Sequence, residues 1–349
     1  MKMEDEDKGI LASLGFDDRG DDCWRVLGRG GNILLLIPDT AATVGKGLGL
    51  YRPQRLLARL FVGAVAKLPF GRSLLKQIKG GLTRGGAIQT VLDATDATLV
   101  CLLLGNPSQA ERRIILLAES NMGHLFIIKL GSGAPAVEKI SRERGFLEEN
   151  ATGNPVIPSL IKVWCEEQWE AFAIPYCDAP GEVPFEKICE VLKSWCTGSP
   201  SVRLSSLLEW KEVVSRITDE KVRENLLNRS AGIDVKTSLV HRDFAPWNVL
   251  SSTNSEVTVI DWEFGKEEGV PGWDLVHYLF LSAHLVDRLS LAEASVRVFD
   301  TLESKAKCVE LVKYWGWEGN VDLLVKSYFY SMSEHLENFA ALAGADDAA

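Results

Sequence analysis

Three short apolar runs stand close together between residues 98 and 130, "TLVCLLLG", "RRIILLAES" and "HLFIIKLG", separated by "NPSQAE" and by the turn "NMG". Apolar runs of that length, bounded by Gly, Pro, Asn and Ser, predict strands. The charged stretch "AVEKISRERGFLEEN" then predicts a helix, and "SLIKVWCEE" with "EAFAIPYCDAPG" completes a five-stranded sheet that the helix crosses. Ahead of these, "DCWRVLGRGGNILLLIP" reads as a hairpin around Arg29-Gly30-Gly31. After "APGEVP" the spacing becomes helical, from Phe185 to Trp195 and from Leu204 to about Asn228. Strands return around "LVHRDFAPWNVL" and at "VTVIDWEF", and from Trp273 onward the chain is mostly helical. A β-rich half joined near Pro180-Gly181 to an α-rich half predicts an α+β fold.

The segment from Thr40 to Leu92 has a different character. It holds Lys46, Arg52, Arg55, Arg59, Lys67, Arg72, Lys76, Lys79 and Arg84 but no Asp or Glu, and "PQRLLARLFVGAVAKLPFGRSLLKQIK" predicts a helix broken at Pro69. "VGKGLG" at 44–49 fits neither a P-loop nor a dinucleotide fingerprint and reads as a flexible loop. The expected division is an N-terminal extension over 1–92, a β-rich domain over 93–179 and an α-rich domain over 180–349. The extension is expected to pack on the rest of the chain through Leu56, Leu60, Phe61 and Val65. Its competing use is an anionic membrane surface.

Composition narrows the classes. A chain of 349 residues that is 46% hydrophobic can fill two cores. The net charge of -10 argues against general nucleic-acid binding, which needs a surplus of Lys and Arg on the contacting face. Seven cysteines, odd in number and with no CxxC pair, read as reduced thiols. No stretch reaches the roughly 18 apolar residues of a membrane span, and the acidic "MKMEDEDKG" does not read as a signal peptide. A cytoplasmic location is expected.

Chemistry concentrates in "HRDFAPWN", where Asp243 and Asn248 stand five apart, followed by a β-branched run that leads to Asp261 in "VIDWEF". Phosphoryl transfer needs a carboxylate to orient the attacking hydroxyl and oxygen ligands to hold Mg²⁺ on the phosphates. Asp243 suits the first role, Asn248 and Asp261 the second. Upstream, Lys129 lies in the third β-run with Glu143 on the helix after it, the pairing that fixes a cation against α- and β-phosphates.

With these residues the chain resembles the aminoglycoside phosphotransferase and choline kinase group of the protein-kinase-like fold, over roughly residues 95–285. The resemblance implies a two-lobed fold, with a β-rich N-lobe that binds nucleotide and an α-rich C-lobe that carries the catalytic loop. It implies ATP or GTP and Mg²⁺ as cofactors, and a hydroxyl of an aminoglycoside, sugar or amino alcohol as acceptor. His241, Arg242 and Asp243 form the catalytic set by this resemblance, with Asp243 as the base. Asn248 and Asp261 bind the metal. Lys129 and Glu143 position the nucleotide, the backbone over Pro175, Tyr176 and Cys177 meets the adenine, and Asp274 braces the catalytic loop.

Three departures are visible. Arg242 stands where many small-molecule phosphotransferases have Gly, the turn "GNPSQAERR" has a single glycine, and Glu263 follows Asp261 by two. The rival readings are a non-catalytic pseudokinase that binds nucleotide or a partner, and an atypical protein kinase. Against the latter, Asp261 and Asp274 are 13 positions apart (274 minus 261), too few for a peptide-docking activation segment. His277, His284 and His335 gather no metal set and read as structural. Glu209, Glu212 and Asp219 fit a solvated helix face as well as a cationic pocket.

Overall fold

The computed structural model describes residues 5–29, 32–50, 62–66, 71–104, 112–178, 182–252 and 256–332. The chain forms two units, Met1–Asn154 with Pro158–Tyr176, and Pro155–Ile157 with Cys177–Ala349.

The first unit is built on one sheet of eight strands: β1 (Phe16–Arg29), β2 (Asn32–Pro38), β3 (Lys76–Leu82), β4 (Ala97–Leu104), β5 (Ile114–Ser120), β6 (Leu125–Ser132), β7 (Lys162–Cys165) and β8 (Trp169–Pro175). Their order is β3-β1-β2-β4-β5-β6-β8-β7, and every pairing is antiparallel. The five expected strands are β4 to β8, and the expected hairpin is β1 with β2.

The described strands of residues 1–92 do not stand apart from this sheet. Leu35 and Leu36 of β2 pair with Leu103 and Leu102 of β4, so the hairpin extends the five strands edge to edge. "KQIK", the end of the expected helix, instead opens strand β3, zipped to β1 from Val26↔Lys76 to Phe16↔Leu82. Gly80 makes that approach possible, because a Cβ there would collide with the Phe16 ring. "VGKGLG" is likewise no flexible loop but part of the helix Ala41–Leu50. Its Gly47 lies so close to the sheet that a Cβ would sit 3.0 Å from that of Cys101.

Strand alternation sends side chains to two cores. Leu36, Leu102, Leu116 and Ile128 face one way, against Leu11, Leu14, Ile88 and Val91. Leu35, Ile37, Cys101 and Leu117 face the other, against Val44, Leu48, Val62 and Val65. Val65 is thus packed as expected, while Leu56, Leu60 and Phe61 lie outside the described residues. The helix Ala134–Asn150 follows β6 directly.

The second unit is helical, with Phe185–Ser194, Leu208–Arg216, Glu220–Ser230, Trp273–Leu281, Leu291–Ser304, Ala306–Trp315 and Val321–Met332. The single helix expected to about Asn228 is broken at 217–219, where Asp219 caps the next helix by accepting from the backbone of Lys221 and Val222. Three short antiparallel pairs interrupt the helices: Ser201–Arg203 with Asp234–Lys236, Ser238–Val240 with Lys266–Gly269, and Val249–Ser251 with Val257–Val259. A β-rich unit followed by a helical one is the α+β arrangement that the sequence predicted.

Candidate active site

The loop from His241 to Asn248 is strung between the strands Ser238–Val240 and Val249–Ser251. Its entry is pinned by Asp274, whose Oδ2 accepts from the His241 backbone N–H at 2.7 Å and whose Oδ1 accepts from that of Arg242 at 2.9 Å. This is the bracing expected of Asp274. Arg242 has φ +67° and Asp261 φ +74°, a region that non-glycine residues seldom occupy and that is retained where the surroundings enforce it.

The side chains of His241 and Arg242, expected in the catalytic set, are both engaged by the fold around the loop. His241 is fully buried and stacks edge-on against Trp262, with ring centroids 4.5 Å apart. Its Nε2 is 2.9 Å from the Ile260 carbonyl oxygen, and its Nδ1 accepts from the Asp243 N–H at 3.2 Å. That pair of bonds selects the neutral ring with hydrogen on Nε2, and burial lowers the imidazole pKa to about 4. His241 is a strut between the loop and residue 260. Arg242 reaches Glu209, 3.0 Å away and 1% exposed. Glu209 is therefore not a solvated residue. Its other oxygen accepts from the Val270 N–H at 2.7 Å, a reach that Gly269 permits because a Cβ there would crowd the carboxylate. Glu212, by contrast, is exposed beside Lys266.

Asp243 stands at the centre. Its side chain is 34% exposed, and both carboxylate oxygens have partners. Oδ2 accepts from Asn248 Nδ2 at 3.0 Å, and Oδ1 lies 3.1 Å from His277 Nε2. The Asn248 amide also donates to the Asp243 backbone carbonyl at 2.8 Å, so its nitrogen is committed and its oxygen is the group that remains. Asn248 and Asp261 come together through the strand pair Val249↔Val259, continued by the bond from Ile260 N–H to the Asn248 carbonyl at 2.9 Å. Both side chains carry oxygen, the donor type that Mg²⁺ takes. Among the described residues no cluster of three or more His, Cys, Asp or Glu is arranged for a metal. Mg²⁺ on phosphates uses only one or two protein ligands, so the pair fits that ion. Glu263 is buried, 8% exposed, and not a solvated neighbour.

His277 is the residue that the sequence reading missed. A histidine in an apolar helix gives no local sign that its partner lies 34 positions upstream. His284 bonds the Leu289 carbonyl and remains structural. His335 lies outside the described residues.

In the first unit, Lys129 and Glu143 meet as expected. Phe126, Ile128 and Leu130 of β6 point into one core, so Lys129 emerges on the opposite face of its strand. Its Nζ lies 2.6 and 2.7 Å from the two Glu143 oxygens. Arg113 is 3.7 Å from the same carboxylate. Pro175 closes β8 opposite Phe126, Tyr176 donates its N–H to the Leu125 carbonyl, and Cys177 is the first residue after the crossing into the second unit. All seven cysteines are free thiols. Among the described residues no helix is long and apolar enough to cross a membrane.

No curated protein matches the chain. Among solved structures, it is similar to an aminoglycoside-3'-phosphotransferase of type VIII, at 18% identity over 70% of this chain and 96% of that one, TM-score 0.44. It is similar to a macrolide 2'-phosphotransferase from Brachybacterium faecium, at 16% identity over 75% and 93%, TM-score 0.45. A choline kinase from Streptococcus pneumoniae aligns at 15% identity over 73% and 93%, TM-score 0.41. Residues 203–300, which hold the whole Asp243 loop with Asp261, Asp274 and His277, match the phosphotransferase enzyme family, and it is this family that the chain resembles.

Proposed function

We propose that the protein transfers the γ-phosphate of ATP or GTP to a hydroxyl of a small molecule, with Mg²⁺. The observation that carries this reading is Asp243, a carboxylate one-third exposed and held on both oxygens, by the Asn248 amide and the His277 ring. Asp243 would orient the acceptor hydroxyl for in-line attack and accept its proton. Asn248 and Asp261 would hold Mg²⁺, which when bound neutralises charge on the phosphates. Lys129, kept straight by Glu143, would pair with the α- and β-phosphate oxygens, and the backbone of residues 175–177 would meet the base.

The acceptor is read as small because the chain after Asp261 has no length to spare. Lys266–Gly269 folds directly back to pair with Ser238–Val240, and Asp274 follows at the start of the next helix. An aminoglycoside, a sugar or an amino alcohol fits such a site, and a peptide platform does not. A non-catalytic nucleotide-binding scaffold is favoured only by the single glycine of "GNPSQAERR".

Calorimetry tests the metal assignment. Mg²⁺ should tighten ATP binding to the wild-type protein, and Asp261→Ala should remove that effect. Equal Mg²⁺ dependence in both would refute it. A screen of aminoglycosides, choline, sugars and amino alcohols for ATP-dependent phosphorylation then identifies the acceptor class, and failure of Mg²⁺ to support any transfer or hydrolysis would favour the scaffold.

A further inference from the structure

The helix Trp273–Leu281 is tied to the helix Val321–Met332 by two polar contacts one turn apart. Trp273 Nε1 donates to Ser327 Oγ at 3.0 Å, and His277 Nδ1 lies 2.9 Å from the Tyr328 hydroxyl. The second contact continues to the catalytic loop, since His277 Nε2 is 3.1 Å from Asp243 Oδ1. His277 is 4% exposed and Tyr328 2%, so neither group has access to solvent in place of these partners.

The hydrogens can be assigned along this chain of three groups. A carboxylate only accepts, so the hydrogen of a neutral ring belongs on Nε2. Nδ1 is then an acceptor, and the Tyr328 hydroxyl donates to it. Burial, together with the charges of Asp243 and Asp274, holds the phenol pKa well above its usual value, so the hydroxyl keeps its hydrogen.

We propose that His277, set in its tautomer by Tyr328, is a positioning residue for phosphoryl transfer. It fixes Oδ1 of Asp243 while Asn248 fixes Oδ2, and the carboxylate then presents one orientation to the acceptor hydroxyl. The physical gain is in geometry: a carboxylate held by a single donor turns about its last torsion, and misplacement of a reacting group is costly in rate. The role rests on the reading of Asp243 given above. It also assigns a task to the helix Val321–Met332, which would be joined to the catalytic carboxylate through one hydroxyl and one ring.

The test uses the full chain with His277→Leu, His277→Gln and Tyr328→Phe, measuring kcat, the nucleotide KM and the melting temperature in the phosphotransfer assay. Loss of the ring should lower kcat by about 10–100-fold, the usual effect of removing a supporting hydrogen bond from a site, with the nucleotide KM unchanged. Gln can still donate an N–H to Oδ1 and should recover most of the rate. Tyr328→Phe should lower kcat several-fold and shift the ¹⁵N resonance of the His277 Nδ1. A folded His277→Leu with wild-type kcat overturns the role, as does a Gln variant no better than Leu. If His277→Leu does not fold, Tyr328→Phe decides, and an unchanged kcat there overturns it. A wild-type protein without transfer activity overturns the proposed function and this role with it, whereas an active wild type with indifferent variants overturns the role alone.

Discussion

Lys129 and Glu143 are 5% and 1% exposed at their side chains and hold each other by charge at 2.6 Å, whereas Asp243 is 34% exposed and is held by the amide of Asn248 and the ring of His277. In the first unit a charge is neutralised where it sits, on a strand in the interior of the sheet, flanked by β5 and β8. In the second, a charge is left open to a reactant while uncharged donors steer it. The two designs predict different failures. Removing one member of a buried ion pair strands the other, while removing the charge of Asp243 leaves its supports able to hydrogen-bond without it.

The largest effect should come from cutting the sheet of the first unit short. Deletion of residues 1–92 takes away β1, β2 and β3 and uncovers Leu102, Leu116 and Leu117 on both faces of the sheet. The remainder should be insoluble or show no cooperative melt by circular dichroism. A soluble, cooperatively melting fragment would show that the first three strands are an appendage.

Next in size is Glu143→Ala, expected to cost about 3–5 kcal/mol in denaturant unfolding because it strands the Lys129 ammonium. Combining Lys129→Met with Glu143→Leu should restore stability without restoring nucleotide binding. If Glu143→Ala is as stable as wild type, the pair is not closed to water as described.

The smallest effect separates the uncharged strut from its brace by pH. Burial lowers His241 from the usual 6.5 to about 4, so its contribution to stability is lost as pH falls through that interval, where the unfolded chain takes the proton first. Burial raises Asp274 from 3.8 to about 6, so the folded chain takes that proton first and stability rises as pH falls from 6 toward 4. In the wild type the two slopes oppose each other. His241→Gln should unmask the Asp274 slope, up to about 1.4 kcal/mol gained per pH unit of acidification, and Asp274→Asn should unmask the reverse. Identical stability slopes between pH 6 and 4 in all three proteins would contradict this assignment.

Much of this was legible in the sequence because the signals are local. Asp243, Asn248 and Asp261 carry meaning through their spacing, and β4 to β8 through short apolar runs with turn residues between them. What was not legible depends on partners distant in the chain. "KQIKGGL" has the basic, apolar mix of the helix expected before it, and only pairing with β1, some 50 residues earlier by the Trp24↔Ile78 register, makes it a strand. Glu209 is one of several acids in its segment, and its ion-pair partner, Arg242, comes 33 positions later (242 minus 209). His277 became part of the site through Asp243 and Tyr328, one on either side of it in sequence and neither within one helical turn.

The central claim is that Asp243 acts on the acceptor rather than on the fold, and Asp243→Asn tests it most directly, since the amide keeps the shape and removes the charge. With an acceptor found by the screen, initial rates of phosphate transfer from Mg·ATP should fall by about 10²–10⁴-fold, while the melting temperature and the calorimetric Kd for Mg·ATP stay at their wild-type values. A variant that transfers phosphate at the wild-type rate, or that loses rate only because it no longer folds, would contradict the account.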